Sequence, residues 1–247
     1  METNKINNGC KSQNDNKINN ETELLEMFTI SDDHRAFPYV PFLNPVYNEV
    51  WATENHIIIR ISPDRLNKHY EPVKGCEILK LPEVLRPCHL SCTYKALRQA
   101  LDECQLVDEV VTEEHEEKCK ECGGTGEVEW EYTDDNLHTH YHDFDCPKCG
   151  RDGVIIHEKE IYTGKKVHDK NAVVKIGNAT FQWFFLDIVA KALAHIGADV
   201  IGITANDPYG MTEFVFDGIK IGLMCVPCDD RNGYNAEVEL NENGGEI

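Results

Sequence analysis

Two Cys-x-x-Cys pairs, Cys119 with Cys122 and Cys146 with Cys149, constrain what this chain can fold into more than any other feature of it. A Cys-x-x-Cys turn presents two thiolates to one ion at low strain, and two such turns complete a tetrahedral ligand set. Gly123, Gly124 and Gly126 follow the first pair, while Pro147 and Gly150 frame the second, so both pairs sit among turn formers. The chain has 11 cysteines and no apolar export segment near its start, which favours thiols or metal ligands over disulfides. The expectation is one structural Zn2+ per chain on Cys119, Cys122, Cys146 and Cys149. A thioredoxin-like redox pair and unrelated buried thiols are the competing readings, and no βαβ pattern surrounds either pair to support the first.

Between the pairs, "EVEWEY" and "HTHYHDF" alternate on either side of "TDDN", the pattern of an antiparallel hairpin in a zinc-ribbon-like insert. So few apolar side chains cannot form a core, whereas metal binding supplies on the order of 10 kcal/mol of folding free energy to small modules. His138, His140 and His142, spaced by two, could be a second metal site. With four thiolates already completing the first, they read as an exposed polar strand face. A third Cys-x-x-Cys, Cys225 with Cys228, falls at a strand end and reads as core or coincidence rather than a site.

The length of 247 residues allows one substantial core, or a domain with a small insert. No run approaches the roughly 18 apolar residues of a membrane span, and no signal-peptide core is present, so a cytoplasmic protein without membrane contact is expected. A formal charge of −20 repels nucleic acid unless a local basic patch opposes it.

Along the chain, residues 1–20 contain NKINN twice and read as a disordered Asn-rich tail, and residues 229–247 as an acidic flexible tail. "ETELLEMF" starts a short helix with Leu24, Leu25 and Phe28 on one face and Asn20 or Thr22 as cap. Val50, Ala52, Ile57, Ile59 and Ile61 alternate as two strands around a turn at Glu54 and Asn55. Tyr94, Leu97 and Leu101 mark a second helix capped by Ser91. "AVVKIGN", "ATFQWFFLDIVAKALAHIGA", "DVIGITAN", "MTEFVFDG" and "IKIGLMCVP" read as strand, helix and three strands, with Gly197 ending the helix and Asp217-Gly218 forming the last hairpin turn. Helix followed by strands occurs in both halves, the pattern of a degenerate repeat. The fold class is α+β: a discontinuous domain over 21–117 and 154–228, with the zinc-binding insert at 118–153.

Two resemblances add to this reading. "CKECGGTGEVEW" is similar to the Cys-x-x-Cys-x-Gly-x-Gly repeats of the DnaJ family at Cys119, Cys122, Gly124 and Gly126. "CPKCGRDG" matches at Cys146, Cys149 and Gly153, with Arg151 at the first glycine position. In that family two repeats make one zinc site and the module contacts unfolded clients; the His-Pro-Asp signature of a J domain is absent from this chain. "VWATENHIIIRIS" resembles the "TDGHRL" hairpin of bacterial DNA sliding clamps, with Thr53 and His56 in place and Glu54-Asn55 instead of Asp-Gly. The C-terminal third, ending in "IGLMCVP", looks like a clamp half-domain. The clamp resemblance covers Glu21 to Thr112 and Val154 to Cys228. It implies a repeated clamp-like domain, a homo-oligomeric ring, and helices near Thr93–Cys104 and Phe181–Ile196 on a DNA-facing surface. Lys95 and Arg98 on the first helix and Lys191, with His195 nearby, on the second are the candidate DNA-facing residues; ordinary solvated helix positions are the competing reading.

No nucleophile triad, phosphate-cradling loop or paired-carboxylate site has its motif intact. Asp32 with His34, and Glu54 with His56, are short-range neighbours on expected loops. Three function classes stay open: a noncatalytic zinc-containing clamp-like scaffold with a protein partner and a link to DNA replication or a mobile element; a DnaJ-type module binding peptide or unfolded protein; and an enzyme with an unrecognised site. The acidic run of "DECQLVDEVVTEEHEEK" reads as a solvated approach to the insert or an attractor of a basic partner.

Overall fold

The computed structural model describes residues 17–29, 40–74, 81, 87–227 and 233–241. In chain order the elements are α1 (Glu21–Glu26), β1 (Phe42–Asn44), β2 (Glu49–Thr53), β3 (Ile57–Ile61), β4 (Pro87–Thr93), α2 (Tyr94–Glu103), β5 (Leu106–Lys118), β6 (Glu127–Thr133), β7 (Thr139–Asp145), β8 (Val154–His168), β9 (Val173–Ile176), β10 (Ala179–Gln182), α3 (Trp183–Ile196), β11 (Val200–Ala205), β12 (Met211–Phe216), β13 (Ile219–Met224) and β14 (Ala236–Glu237). The class is α+β, as expected from the sequence. The chain divides into two compact units, Met1–Gln105 with His168–Ile247, and Leu106–Val167. The expected insert, 118–153, lies inside the second.

The first unit is built on a seven-stranded antiparallel sheet of order β1-β2-β3-β13-β12-β11-β4. Its first six strands are palindromic: α1 precedes the meander β1-β2-β3, α3 precedes β11-β12-β13, and the two meanders join last strand to last strand at β3–β13. Strand alternation explains the core. Val50, Ala52, Ile57, Ile59, Ile61, Ile219, Ile221 and Leu223 all fall on one face and are buried in one cluster with Leu24, Leu25 and Phe28 of the α1 segment and Leu186, Val189 and Leu193 of α3. Fully burying each such side chain contributes roughly 1.5–3 kcal/mol. Val174, Ile176 and Phe181 join the same cluster from a smaller sheet of order β10-β9-β14.

Several boundaries differ from the sequence reading, each for a local reason. "ATFQ" is strand β10 rather than the start of the helix, because Gly177, at φ +57, turns the chain back onto β9 and Ala179 and Phe181 point inward at period two. Strand β4 continues through Thr93, so Thr93, not Ser91, caps α2, its hydroxyl accepting from the Ala96 N–H at 3.0 Å. Asn20 stands at the α1 N-cap position but makes no side-chain cap; the Thr22 hydroxyl meets Lys68 Nζ at 2.5 Å instead. Ile18 is buried and its N–H donates to Arg65 O, so residues 17–20 are held against the fold. β14 pairs in parallel with β9 and buries Ala236 and Val238, so the chain from Ala236 to Asn241 is likewise part of the structure rather than a loose tail. Residues 1–16 and 242–247 lie outside the described residues, as do Cys228, Asp32 and His34.

The expected turns are present. Gly197 ends α3 at φ +76, and Asp217 and Gly218, at φ +45 and +71, form the β12–β13 turn with the paired positive φ values of a type I′ hairpin.

In the second unit, β5 pairs with β8, and β6 with β7. The long ribbon β5–β8 is antiparallel, since Asp108 meets Lys166 towards one end and Glu117 meets His157 towards the other. The acidic approach, read as solvated or as an attractor of a basic partner, is the strand β5, exposed along nearly its whole length, with Asp108 and Glu117 meeting Lys166 and His157 across the ribbon.

Candidate metal centre

The cysteine cluster is assembled by two knuckles that repeat each other. The first runs Cys119–Gly126 and the second Cys146–Gly153, and each closes against the other through the backbone: Cys119 N–H donates to Gly153 O at 2.9 Å, and Cys146 N–H donates to Gly126 O at 2.8 Å. The reciprocity extends to the glycines. A Cβ on Gly126 would collide with the Arg151 carbonyl, and a Cβ on Gly153 with the Gly124 carbonyl; both glycines have positive φ, +80 and +72. Only glycine satisfies both demands, conformation and clearance. Gly126 and Gly153 are therefore required by the approach of one knuckle to the other, while Arg151 is tolerated where the first knuckle has Gly124.

The four Sγ atoms lie within 4.8 Å of one another. Cys119 Sγ and Cys146 Sγ are 3.7 Å apart, as are Cys122 Sγ and Cys149 Sγ. A disulfide would need about 2.05 Å. A tetrahedron with metal–sulfur bonds of about 2.3 Å has edges near 3.8 Å, so the cluster fits a tetrahedral thiolate site. Cys119 and Cys146 are buried, and Cys122 and Cys149 are half-buried. Burial pushes the Cys122 thiol up, but N–H donors from Gly126 and Gly124 and the neighbouring thiols outweigh it and bring it down to about 6. Gly126 N is 3.3 Å from Cys122 Sγ. On Cys149, burial and the Cys146 thiol act together and push the thiol up to about 12. An ion held by all four sulfurs would have no coordination position left for a water or substrate.

The histidines of the hairpin divide. β7 begins at Thr139, so His138 lies in the turn, with its Nδ1 3.5 Å from Asp134 Oδ2; His140 Nε2 approaches the same oxygen at 3.1 Å. His140 and His142 face across the strands to Tyr132 and Trp130. None of the three approaches the cysteine cluster among the described contacts, and the cysteines form the one grouping of metal-ligating side chains found among the described residues. Cys225, just past β13, is half-buried and donates to Pro208 O at 2.8 Å.

The expected DNA-facing residues lie on α2 and α3, which pack together in the first unit. Arg98 Nη1 bonds Asp187 Oδ1 at 2.7 Å, its Nη2 bonds Asp102 Oδ1 at 2.9 Å, and Lys191 Nζ bonds Asp187 Oδ2 at 2.8 Å. Arg98 and Lys191 are thus engaged by one nearly buried carboxylate, and Lys95 is exposed. His195 Nε2 meets Asn19 O at 3.1 Å. Glu54 and His56 form an exposed pair at 3.2 Å on the β2–β3 loop, where His56 also stacks on Phe185.

What the sequence reading passed over is the aromatic side of the hairpin. The signal was the alternation Glu127, Glu129, Glu131 against Val128, Trp130, Tyr132, which assigns the β6 carboxylates to one face, where Tyr141 of β7 stands opposite Glu131, and the β6 rings to the other.

No helix among the described residues is long and apolar enough to cross a membrane. No protein-family model matches the chain, and no curated protein matches it. Among solved structures it is similar to the C. crescentus beta sliding clamp (11% identity, 83% of this chain and 64% of that one, TM-score 0.37). It is also similar to the DnaN sliding clamp, DNA polymerase III subunit beta, of Bartonella birtlesii (11% identity, 83% and 64%, TM-score 0.38). The DNA polymerase III subunit beta of Pseudomonas aeruginosa is a further match (11% identity, 84% and 64%, TM-score 0.37). The chain spans 64% of the length of these clamps.

Proposed function

We propose that this chain is a noncatalytic interaction scaffold, an α+β domain carrying a zinc-stapled ribbon that docks a protein partner. The observation that carries the reading is the four-sulfur cluster with its 3.7 Å edges and its reciprocal glycine-lined knuckles. Four thiolates in a tetrahedron are the donor set of structural zinc. The ion would be held by Cys119, Cys122, Cys146 and Cys149 and would supply folding free energy to a unit whose buried apolar side chains are those of Cys119 and Cys146 alone among the described residues.

The setting we propose is DNA replication or a mobile element. In support stand the Thr53–His56 hairpin and the palindromic pair of helix-led meanders, the internal duplication that a clamp resemblance implies. DNA contact through Arg98 and Lys191 would compete with their ion pairs to Asp187, so the proposal rests on a protein partner.

Native mass spectrometry of protein purified without added metal tests both parts. One zinc and a closed ring of several chains is the expected result. One zinc on a monomer keeps the staple and removes the ring; absence of metal from fresh, reduced protein overturns the reading.

A further inference from the structure

The hairpin β6–β7 carries an exposed aromatic ladder. Cross-strand partners in an antiparallel pair share a face, and the register pairs Val128 with Phe144, Trp130 with His142 and Tyr132 with His140. Five of these six side chains are rings, and they touch one another. Tyr132 stacks on His140 at 4.9 Å and 18°, His142 lies 4.8 Å from Phe144, and Trp130 meets Phe144 edge-on at 6.0 Å. Yet Trp130 and Tyr132 are each 60% exposed and Phe144 49%. Large rings held in order and left in water mark a contact surface.

The opposite face decides what could be in contact. Glu127 stands across from Asp145 and Glu129 from Asp143, like charges directly opposed, an arrangement that destabilises a hairpin by itself. Arg151 bridges the first of these pairs, at 3.7 Å from Glu127 and 3.3 Å from Asp145. No ion pair to Glu129 or Asp143 is formed among the described residues. The Leu106–Val167 unit carries 17 Asp and Glu against 7 Lys and Arg, so it alone holds −10 of the formal −20. Such a field repels phosphate backbones, which removes single-stranded nucleic acid as the ligand of this stacking platform, and it repels a second copy of the same unit. It attracts cations. Guanidinium groups both stack flat on aromatic faces and respond to the surrounding carboxylates.

We propose that Trp130, Tyr132 and Phe144, backed by His140 and His142, form a docking face for an arginine-rich segment of a partner protein. The segment's guanidinium groups stack on the rings within the field of the hairpin carboxylates. This deepens the scaffold reading and rests on it, since the hairpin must be held open by its metal for the face to exist.

The test uses the full chain, confirmed by mass to carry zinc, and a fluorescently labelled synthetic peptide of alternating arginine and glycine, followed by anisotropy. Specific binding is expected near 0.15 M salt, weaker for the same peptide with lysine, and about tenfold weaker for the double variant Trp130→Ala, Tyr132→Ala, as loss of two exposed cation–π contacts predicts. On the unsubstituted protein the peptide is expected to quench a fluorescence component that is missing from Trp130→Phe, a readout that does not depend on the alanine variant folding. Undiminished binding by the double variant overturns the proposal, because the field alone would then suffice. So does absence of quenching, preference for single-stranded oligothymidine, equal binding of an uncharged apolar peptide, or self-association that the substitutions abolish. Protein that carries zinc but ignores the peptide sinks this inference and leaves the staple standing; protein without zinc sinks the scaffold reading first.

Discussion

At the scale of single residues, the metal centre depends as much on what is missing from Gly126 and Gly153 as on the four sulfurs. Gly123 and Gly126 both have positive φ, +63 and +80, but only Gly126 faces a carbonyl, that of Arg151, while the space around a Cβ at Gly123 is open. Alanine at either position incurs the left-handed penalty of roughly 1–2 kcal/mol; alanine at Gly126 must also push the knuckles apart. Gly126→Ala is therefore expected to weaken metal affinity by well over tenfold and Gly123→Ala by much less, read by competition with a chromogenic chelator. A second residue-scale prediction concerns Glu21, a nearly buried carboxylate that accepts from Asn67 N–H, from Lys68 N–H at 2.8 Å and from Tyr70 Oη at 3.1 Å. Burial, helped by the Glu21 charge and hydrogen bond, pushes the Tyr70 phenol up from 10.0 to about 12. The folded state thus favours the neutral phenol. The resulting stability is fully present below pH 10 and is lost as the pH rises towards 12. Tyr70→Phe should flatten that alkaline loss of stability, measured as urea midpoints across the range, and should remove from the ultraviolet titration one phenol that ionises well above pH 10.

At the scale of elements, the sequence reading succeeded where side chains alternate within a segment and failed where no alternation or breaker marks the element. The strands β2, β3, β12 and β13 alternate because their partners in the core demand it, and the Asp217-Gly218 turn carries its own backbone preference. β5 and β8 were missed because a two-stranded ribbon open on both faces imposes no period on its side chains; the signal that remains is the pairing of Asp108 with Lys166 and Glu117 with His157, which no single segment displays. β10 was lost to its neighbour, since "ATFQ" runs straight into the apolar start of α3 with no breaker between them, while the positive φ at Gly177 separates β10 only from β9. The cysteine ligands were legible from spacing alone, whereas the pairing of Arg98 and Lys191 to Asp187 depends on α2 meeting α3, a long-range fact. That meeting makes a prediction of its own. Asp187→Ala leaves Arg98, one of whose donors is turned inward, without its helix-to-helix partner and is expected to cost about 1–3 kcal/mol in urea unfolding. Lys191→Ala, on the more exposed arm, should cost under about 1 kcal/mol. If instead these cations served DNA, Asp187→Asn would strengthen salt-sensitive retention on DNA-cellulose; unchanged retention is expected.

At the scale of the whole molecule, the two units obtain their stability from different sources. The first buries three helices' worth of apolar side chains against one face of a seven-stranded sheet, with Phe28, Phe181, Phe214 and Phe216 fully enclosed. In the second, the long strands expose Val107, Val110, Val111, Ile156 and Tyr162, the hairpin exposes its rings, and the only buried residues are those of the knuckles, Cys119, Gly126, Cys146 and Gly153. A segment so poor in burial and so rich in like charge has little of its own to offset its ordering entropy, and on the proposed zinc reading the ion would contribute on the order of 10 kcal/mol. Chelation under reducing conditions is therefore expected to release Leu106–Val167 while the first unit stays folded. Hydrogen exchange read by mass spectrometry would show it: peptides from β6, β7 and the knuckles should lose protection when the metal is removed, and peptides from β3, β13 and α3 should keep theirs. The three tryptophans report the same division, because Trp130 lies in the hairpin and Trp51 and Trp183 in the first unit, so Trp130→Phe should erase most of the chelator-dependent fluorescence change. A single cooperative transition that carries β3 and β13 with the hairpin would instead mean that the ion sustains the whole chain, and the separation of staple from core would be wrong.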